Sequence, residues 1–246
     1  VIKVVNACKE KGAAIRIGVN SGSLPHDILE QVNNKQITRA EGLALTAARE
    51  AEIFNELNFD SVVVSMKASS VEETILANES FASKFDLPLH IGVTEAGPLI
   101  SGVVKSTIAF THLLKENIGS TIRVSLSDYP MNEVITGREI LRETGKRTEG
   151  VKLISCPRCG RLGFDVHSFV TRWQTELLSL NKDITVAVMG CVVNGPGEGK
   201  HADLGICGAG DSVIIFKHGK ICCTLKADLS IKDEELRLKT LMENIA

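Results

Sequence analysis

Residues 1 to about 149 alternate between helix-like and strand-like hydrophobic patterns. Apolar side chains recur every three to four residues in some segments and every second residue in others. The predicted elements are a helix to Lys11, strand Ala14–Val19, helix Thr38–Leu57, strand Ser61–Met66, helix Val71–Phe85, strand Leu87–Val93, helix Gly102–Glu116, strand Thr121–Leu126 and helix Asn132–Glu143. This alternation is typical of parallel strands with crossover helices, an α/β fold. It predicts the C-terminal half of an eight-stranded TIM barrel or, as the alternative, an open doubly wound sheet.

Each of these strands has one apolar and one polar face, because successive side chains point to opposite sides. The polar faces carry Arg16 and Asn20 in the first strand, Ser65 and Lys67 in the second, and Arg123 and Ser125 in the fourth. Barrel interiors are normally filled with branched apolar residues, so a polar inner face indicates a lumen that holds an anionic ligand. We therefore expect Arg16, Lys67 and Arg123 to converge near the C-terminal ends of the strands.

Beyond Gly150 the pattern changes to that of a small α+β domain. Its predicted elements are strand Val151–Ile154, helix Asp165–Leu180, strand Ile184–Val188, a hairpin turning at His218–Lys220, and a charged amphipathic helix Lys232–Ile245. The change predicts two domains, residues 1–149 and 150–246, both within the usual size range.

Three cysteines around these strands have the spacing of metal ligands. Cys156-Pro-Arg-Cys159 follows the first strand of the second domain, and Cys191 follows another. A structural zinc site or a cubane iron-sulfur cluster takes four ligands, so one is missing. Cys207 and Glu198 are the two candidates for it. Spacing alone leaves a cluster, zinc and no metal open.

A carboxylate is a weaker partner for iron than a thiolate, so a substrate oxygen could displace Glu198. The iron could then act both as a Lewis acid and as an electron donor. The remaining cysteines, Cys8, Cys222 and Cys223, lie in apolar contexts, and we expect them to be buried packing residues. The six histidines, His90 among them, form no ligand pattern and are expected to be structural.

Composition narrows the class of protein. The 28 Lys and Arg nearly balance the 30 Asp and Glu, which argues against binding to nucleic acid or to an anionic membrane. No apolar run is long enough to span a bilayer. Seven cysteines, an odd number, indicate reduced thiols or metal ligation, and hence a reducing compartment such as the cytoplasm. The chain opens on Val1 in a helical pattern, so we expect it to be a piece of a longer protein.

The basic residues of the polar strand faces fit recognition of a phosphate or diphosphate. Glu95, which follows the third strand, is a candidate acid or base among these cations. If the cysteines bound zinc, the alternative function would be a barrel hydrolase or lyase acting on a phosphorylated substrate.

Six segments together resemble the 4-hydroxy-3-methylbut-2-en-1-yl diphosphate synthase family of the non-mevalonate pathway of isoprenoid biosynthesis. They are Ile15–Leu24, Val64–Ser69, Leu89–Gly97, Thr121–Leu126, Cys156–Cys159 and the highly specific GCVVNGPGE of Gly190–Glu198. The resemblance implies a TIM barrel followed by a ferredoxin-sulfite-reductase-like domain with a [4Fe-4S] cluster. It implies an oxidoreductase that opens and dehydrates 2-C-methyl-D-erythritol 2,4-cyclodiphosphate with two electrons from flavodoxin or ferredoxin. It also implies a homodimer, with one subunit's cluster domain closing over the other's barrel, located in the cytoplasm or, in a eukaryote, in the plastid stroma.

The resemblance also implies a role for each matching residue. Cys156, Cys159 and Cys191 would be the thiolate ligands of the cluster, with Glu198 as the displaceable fourth ligand. The residues that bind substrate would be Arg16, Asn20, Lys67, Arg123, Ser125 and Asn194, and Glu95 would assist proton transfer. Since the family barrel has eight strands, this chain would hold about the last four. An inactive fragment of the synthase is therefore a further alternative.

Overall fold

The computed structural model describes residues 1–157, 159–226, 238, 239 and 242. The chain divides into two compact units, Val1–Arg147 and Thr148–Ala246. Of the predicted helix Lys232–Ile245, only residues 238, 239 and 242 lie within the described part, and these are helical. None of the helices in the described part combines the length and the apolar character that a membrane-spanning segment needs.

The first unit alternates helices and strands, as predicted. Its elements are α1 (Ile2–Lys11), β1 (Ile15–Asn20), α2 (His26–Asn33), α3 (Arg39–Glu56), β2 (Val62–Lys67), α4 (Val71–Ala82), β3 (His90–Ile91), α5 (Leu99–Lys115), β4 (Thr121–Ile122) and α6 (Pro130–Glu143). Helix α2 was not predicted, and β3 and β4 are shorter than the sequence pattern indicates.

The four strands of this unit run parallel in chain order. β1 pairs with β2 and β3 with β4, and an isolated bridge between Val64 and Leu89 links the two pairs. One strand face is buried in the core, where Ile17 and Val19 are only 6% and 4% exposed. On the opposite face Arg16 and Asn20 are exposed. The predicted division of β1 into an apolar and a polar face is therefore correct.

The second unit contains a five-stranded mixed sheet. Its elements are β5 (Val151–Ser155), α7 (Val166–Ser179), β6 (Ile184–Met189), a π-helical turn Val193–Gly197, a 3₁₀ helix Glu198–His201, β7 (Leu204–Ala209), β8 (Ser212–Lys217) and β9 (Lys220–Lys226). The spatial order is β5-β6-β7-β8-β9, with the first three strands parallel and the last two joined antiparallel. The predicted hairpin turns at His218 and Gly219, which both have positive φ, whereas strand β7 was not predicted.

Both faces of this sheet are covered. Val186 and Val188 of β6 pack in the same cluster as Phe169 of α7. The alternate residues Ala187 and Met189 pack on the other side. This second face supports the loop between β6 and β7, which carries Cys191, the last of the three predicted cysteine ligands.

The expectation that Cys8, Cys222 and Cys223 are buried packing residues is wrong for Cys222, whereas Cys8 and Cys223 pack against the cores of the two units. Cys222 is exposed, and Cys8 and Cys223 are only partly buried. Cys222 and its neighbour Ile221 lie on β9, the last strand of the sheet, whose outer edge is open among the described residues. α1 buries little beyond Val5, so Cys8 on the same helix remains partly accessible.

Candidate functional site

The basic residues of the first unit lie on one face of its strands. Asn20 and Lys67 are the last residues of β1 and β2 and stand directly opposite each other in the parallel register. Arg16 shares their face but is the second residue of β1. The expectation that Arg16 lies near the C-terminal end of its strand is therefore wrong for its backbone. Its long side chain is nevertheless close enough to Lys67 for its charge to lower the pKa of that lysine.

The turn that leads from Lys67 into α4 is held by buried hydrogen bonds. The Thr74 hydroxyl accepts from the Ala68 N–H at 3.3 Å and lies 2.8 Å from the Ser70 carbonyl oxygen, to which it can donate. Asn78 Nδ2 donates to the Met66 carbonyl at 3.2 Å. These contacts fix the end of β2 and hence the direction in which Lys67 leaves it.

Gly92 allows Lys67 to approach the chain segment that follows β4. A Cβ atom at Gly92 would lie 3.2 Å from Lys67 Cε and 3.0 Å from the Arg123 carbonyl oxygen. The Arg123 N–H donates to the Ile91 carbonyl at 3.0 Å, which holds Arg123 beside the end of β3. The absence of a side chain at Gly92 therefore brings Lys67 and Arg123 together.

Arg16, Lys67 and Arg123 form a cluster of cations, called here the cation cluster. Within the described part of the chain, none of the three has an ion-pair partner. Burial, followed by the charges of Arg123 and Arg16, lowers the pKa of Lys67 from 10.5 to about 8. Cations held together without carboxylates form a site to which an anion such as a phosphate is attracted.

This crowding predicts that Lys67→Met stabilises the chain while weakening its attraction for anions. The lowered pKa means that charged Lys67 opposes folding below about pH 8, and the penalty disappears as pH rises from 8 to 10.5. After allowance for partial solvent exposure, we expect a gain of about 1–2 kcal/mol at pH 7. Urea unfolding at pH 7 and pH 10 measures it, and the gain should shrink at the higher pH. The exposed Lys115→Met is the control, and a loss of stability in Lys67→Met would contradict the prediction.

Glu95 and Ser125 lie on loops that follow β3 and β4. Glu95 is exposed, has a φ of 51°, and makes no hydrogen bond or ion pair with the residues that the structure describes. A positive φ is uncommon for glutamate, and such strain is concentrated at functional sites. Ser125 is half-buried two residues beyond Arg123, so strand alternation would place the two side chains on the same face.

His90 belongs to the neighbourhood of the cation cluster, a placement that was not predicted from the sequence. Its ring is buried, and burial followed by the charges of Lys67, Arg16 and Arg123 lowers its pKa from 6.5 to about 4. The sequence did contain a signal for this placement. His90 and Gly92 alternate with the apolar Leu89 and Ile91, which indicates that His90 lies on the polar face of the strand. His90 is neutral at neutral pH.

In the second unit, the structure brings two of the three predicted cysteine ligands close together. Cys156 directly follows β5, and its Sγ accepts a hydrogen bond from the Gly190 N–H at 3.1 Å. Cys191, which follows Gly190 in the chain, is buried, and its thiol lies 3.6 Å from Asn194 Oδ1. Cys156, Cys191 and Asn194 therefore meet at the C-terminal ends of two adjacent parallel strands.

The other predicted ligands are placed less closely. Cys159 is exposed. Glu198 begins the 3₁₀ helix, and its side chain lies outside the described part. Among the described residues, no three side chains of His, Cys, Asp or Glu lie close enough to form a metal-binding group. Nevertheless, two thiols with a backbone N–H directed at one sulfur fit the donor set of a thiolate-bound metal or cluster.

Cys207, the rival fourth ligand, lies beneath the loop. It is fully buried, and a Cβ atom at Gly195 would lie 2.4 Å from its Sγ. Burial, followed by the charge of Cys191, raises the pKa of Cys207 to about 11, which favours the neutral thiol. Its packing therefore resembles that of a core residue.

Comparison with known proteins adds a second line of support. Residues 1–138 match the family model described as the GcpE TIM-barrel domain, and residues 152–240 match the GcpE protein C-terminal domain. Proteins named 4-hydroxy-3-methylbut-2-en-1-yl diphosphate synthase (flavodoxin) are similar to this chain. The one from Treponema denticola is 62% identical over 256 residues, covering 97% of this chain and 66% of the relative.

Two further relatives carry the same name. The protein from Treponema pallidum is 59% identical over 246 residues, covering 96% of this chain and 60% of the relative. The protein from Thermodesulfovibrio yellowstonii is 49% identical over 224 residues, covering 91% and 63%. The chain thus spans between 60% and 66% of the length of these relatives. Because one family model matches more than half of it and a second model of that family matches most of the rest, this chain belongs to the GcpE family.

Proposed function

We propose that this chain contributes to the reductive ring opening and dehydration of 2-C-methyl-D-erythritol 2,4-cyclodiphosphate to 4-hydroxy-3-methylbut-2-enyl diphosphate. The observation that carries the proposal is the cation cluster, which has no ion-pair partner among the described residues. A cyclic diphosphate supplies the negative charge that such a cluster lacks. The names of the similar proteins, which are diphosphate synthases that use flavodoxin, support the same reaction.

The finer architecture is part of the proposal. We assign the first unit, with its four parallel strands in chain order, to half of an eight-stranded barrel, as a substrate domain of residues 1–149. Residues 150–246 form an iron-sulfur domain of the ferredoxin-sulfite-reductase-like type. The complete protein is a homodimer, and its electron donor is flavodoxin or ferredoxin.

In the first unit, each polar residue has a role suited to its charge. Arg16, Lys67 and Arg123 bind the diphosphate oxygens, with arginine able to form two parallel hydrogen bonds to one phosphate. The neutral side chains of Asn20 and Ser125 orient the substrate by hydrogen bonding. Glu95, which is exposed, holds or moves the proton that dehydration requires.

In the second unit, Cys156, Cys159 and Cys191 would hold a [4Fe-4S] cluster, with Glu198 as its fourth and exchangeable ligand. Asn194, in the same loop as Cys191, would line the substrate near the cluster. The Gly190 N–H, which already donates to Cys156 Sγ, stabilises negative charge on that sulfur. When bound, the cluster supplies electrons one at a time. The buried position of Cys191 limits access of water to one of the ligands.

The alternatives make different predictions for metal content. A zinc-bearing hydrolase or lyase receives no support from the similar proteins, which are named as flavodoxin-dependent synthases. Anaerobic reconstitution of this chain with iron and sulfide, followed by metal and sulfide analysis, tests the cluster directly. One zinc per chain and no sulfide would overturn the assignment. Turnover of the cyclic diphosphate by a longer protein that contains this chain, but not by the chain alone, would identify the chain as an inactive fragment.

Arg123→Ala is expected to weaken binding of inorganic pyrophosphate by about 10- to 100-fold, because a hydrogen bond to a charged group is lost. Isothermal titration calorimetry on the chain measures the affinity. Arg39→Ala is a matched control, since Arg39 is an exposed arginine that lies 3.7 Å from Glu73. Equal affinities for the parent chain and Arg123→Ala would remove Arg123 from the site.

A further inference from the structure

His90 is a buried histidine for which the proposed function gives no role. The residue is only 5% exposed, and its Nδ1 lies 2.8 Å from Thr121 Oγ1. Its Nε2 is buried and has no hydrogen-bond partner among the described residues. A buried polar atom of this kind is costly, because it has lost water without gaining another partner.

The strand register places His90 on the polar face. Leu89 forms a bridge with Val64, whose side chain is in the core, so the next residue, His90, points to the opposite side. The charged groups that face it are Lys67 from β2, Arg16 from β1 and Arg123 from the segment after β4. The unpartnered nitrogen therefore lies in the field of the same three cations that we assign to diphosphate binding.

The neighbouring threonine can determine which ring nitrogen carries the proton. If the Thr121 hydroxyl donates to Nδ1, the neutral ring has its proton on Nε2. A neutral N–H can donate to a phosphate oxygen without adding a fourth positive charge, which the neighbouring cations would repel. The imidazole is thus suited to supply a hydrogen bond where another lysine or arginine would be unfavourable.

We propose that His90 is a ligand-binding residue, whose Nε2–H donates to a phosphate oxygen of the anion held by Arg16, Lys67 and Arg123. Thr121 is a positioning residue, because it fixes the tautomer through Nδ1. The inference rests on the proposed function in one respect, namely that the cation cluster binds a diphosphate. It adds a neutral hydrogen-bond donor to that site and gives His90 Nε2 the hydrogen-bond partner that it lacks among the described residues.

Histidine NMR of the chain, with and without inorganic pyrophosphate, tests the proposal. The resonance of His90 among the six histidines is assigned by its absence in His90→Gln. Without pyrophosphate the pKa should be near the low value of about 4 that burial and the cations cause. Bound pyrophosphate offsets the cations and should raise that pKa by about one unit or more. The ¹⁵N shifts should show the proton on Nε2 in the bound state.

Affinity measurements provide an independent readout. His90→Gln should weaken pyrophosphate binding by about 3- to 10-fold, the loss expected for one hydrogen bond. Thr121→Val changes an exposed residue and leaves the ring in place, so it should weaken binding less and reduce the Nε2–H population. His112→Gln is the control, because His112 is a histidine of the same unit that contacts Glu79 at 2.7 Å.

The outcomes separate this inference from the proposed function. If pyrophosphate binding depends on Arg123 but not on His90, and the pKa of His90 does not change, His90 is structural and the inference is wrong. The proposed diphosphate site would then remain. If the parent chain does not bind pyrophosphate at all, both proposals are overturned. Should His90→Gln fail to fold, the His90 resonance is assigned by elimination with His→Gln variants of the other five histidines, and the NMR titration and the Thr121→Val variant still decide the matter.

Discussion

Cys191→Ala is expected to abolish incorporation of the cluster, and with it turnover by a longer protein that contains this chain. Cys191 is 7% exposed and lies next to Gly190, whose N–H donates to Cys156 Sγ. Loss of its sulfur would remove one of three thiolate ligands that the proposed function requires. Cys156→Ala should have the same effect, because it removes another of the three thiolate ligands.

Both variants should lose the cluster and the turnover that depends on it, but should remain folded. Removal of a single buried sulfur atom costs about 1–2 kcal/mol, which a folded domain normally tolerates. Iron and acid-labile sulfide per chain after anaerobic reconstitution measure the effect, and circular dichroism verifies the fold. Cys222→Ala, at an exposed position of β9, is the matched control and should retain full iron.

Cys207→Ala distinguishes the two candidates for the fourth ligand. Because Cys207 is packed beneath Gly195, we expect its loss to lower stability while leaving the iron content unchanged. Full iron content in Cys191→Ala, or loss of iron in Cys207→Ala, would contradict the ligand assignment.

Gly208→Ala is expected to unfold or severely destabilise the second unit. A Cβ atom at Gly208 would lie 2.4 Å from the Gly163 carbonyl carbon and 2.7 Å from the Phe164 nitrogen. These are backbone atoms, so no change of rotamer can remove the clash. We expect a loss of about 3 kcal/mol or more, since overpacking against a fixed backbone forces the chain to move.

Gly163→Ala is the matched control, because it adds the same methyl group from the other side of the contact. Its Cβ would meet the Gly210 nitrogen at 3.6 Å and the Gly208 carbonyl carbon at 3.7 Å, which are ordinary contacts. Urea unfolding monitored by the fluorescence of Trp173 in α7 compares the two variants. A Gly208→Ala chain as stable as Gly163→Ala would show that the loop after Cys159 can move at little cost.

The faces of the strands were predictable because alternation is a local property of extended backbone. Arg16 and Asn20 are exposed whereas Ile17 and Val19 are buried, as the period of two requires. The α/β character of the first unit followed from the alternation of helical and strand patterns. The names and family models of similar proteins then agreed with the resemblance carried by the motifs.

Shorter elements were less predictable. α2 has only 8 residues, and its apolar positions Ile28, Leu29 and Val32 extend over little more than one turn, so the pattern is too short to reveal a helix. β3 was predicted over Leu87–Val93 but is regular only at His90–Ile91. The backbone still pairs outside it, since the Val64 N–H donates to Pro88 and the Thr94 N–H donates to Ala68. The apolar run therefore indicates pairing, but not a continuous regular strand.

The candidate site was predictable by residue type and only partly by position. Arg16, Lys67 and Arg123 could be assigned to one face, but their mutual effect on pKa depends on packing between strands. The close approach of the Lys67 side chain to Gly92 depends on contacts between residues far apart in the chain. The placement of His90 beside the cation cluster was missed for the same reason, since its buried Nε2 without a hydrogen-bond partner becomes evident only after the strands are aligned.

Phe216 packs so closely against glycines of β7 and of the loop before it that these glycines have a reason to persist apart from any chemistry. Its ring would lie 2.0 Å from a Cβ at Gly205 and 3.1 Å from one at Gly199, while a Cβ at Gly195 would collide with Cys207. Evolution would therefore retain these glycines in any descendant that keeps Phe216 and Cys207 in its core. Cys159, which is exposed, is under no such packing constraint, whereas Cys156 packs against the cluster that contains Phe216 and Cys191 is buried. In a descendant that no longer bound a cluster, Cys159 would be the thiol lost at the least structural cost, and the glycine pattern would persist as a remnant of the fold.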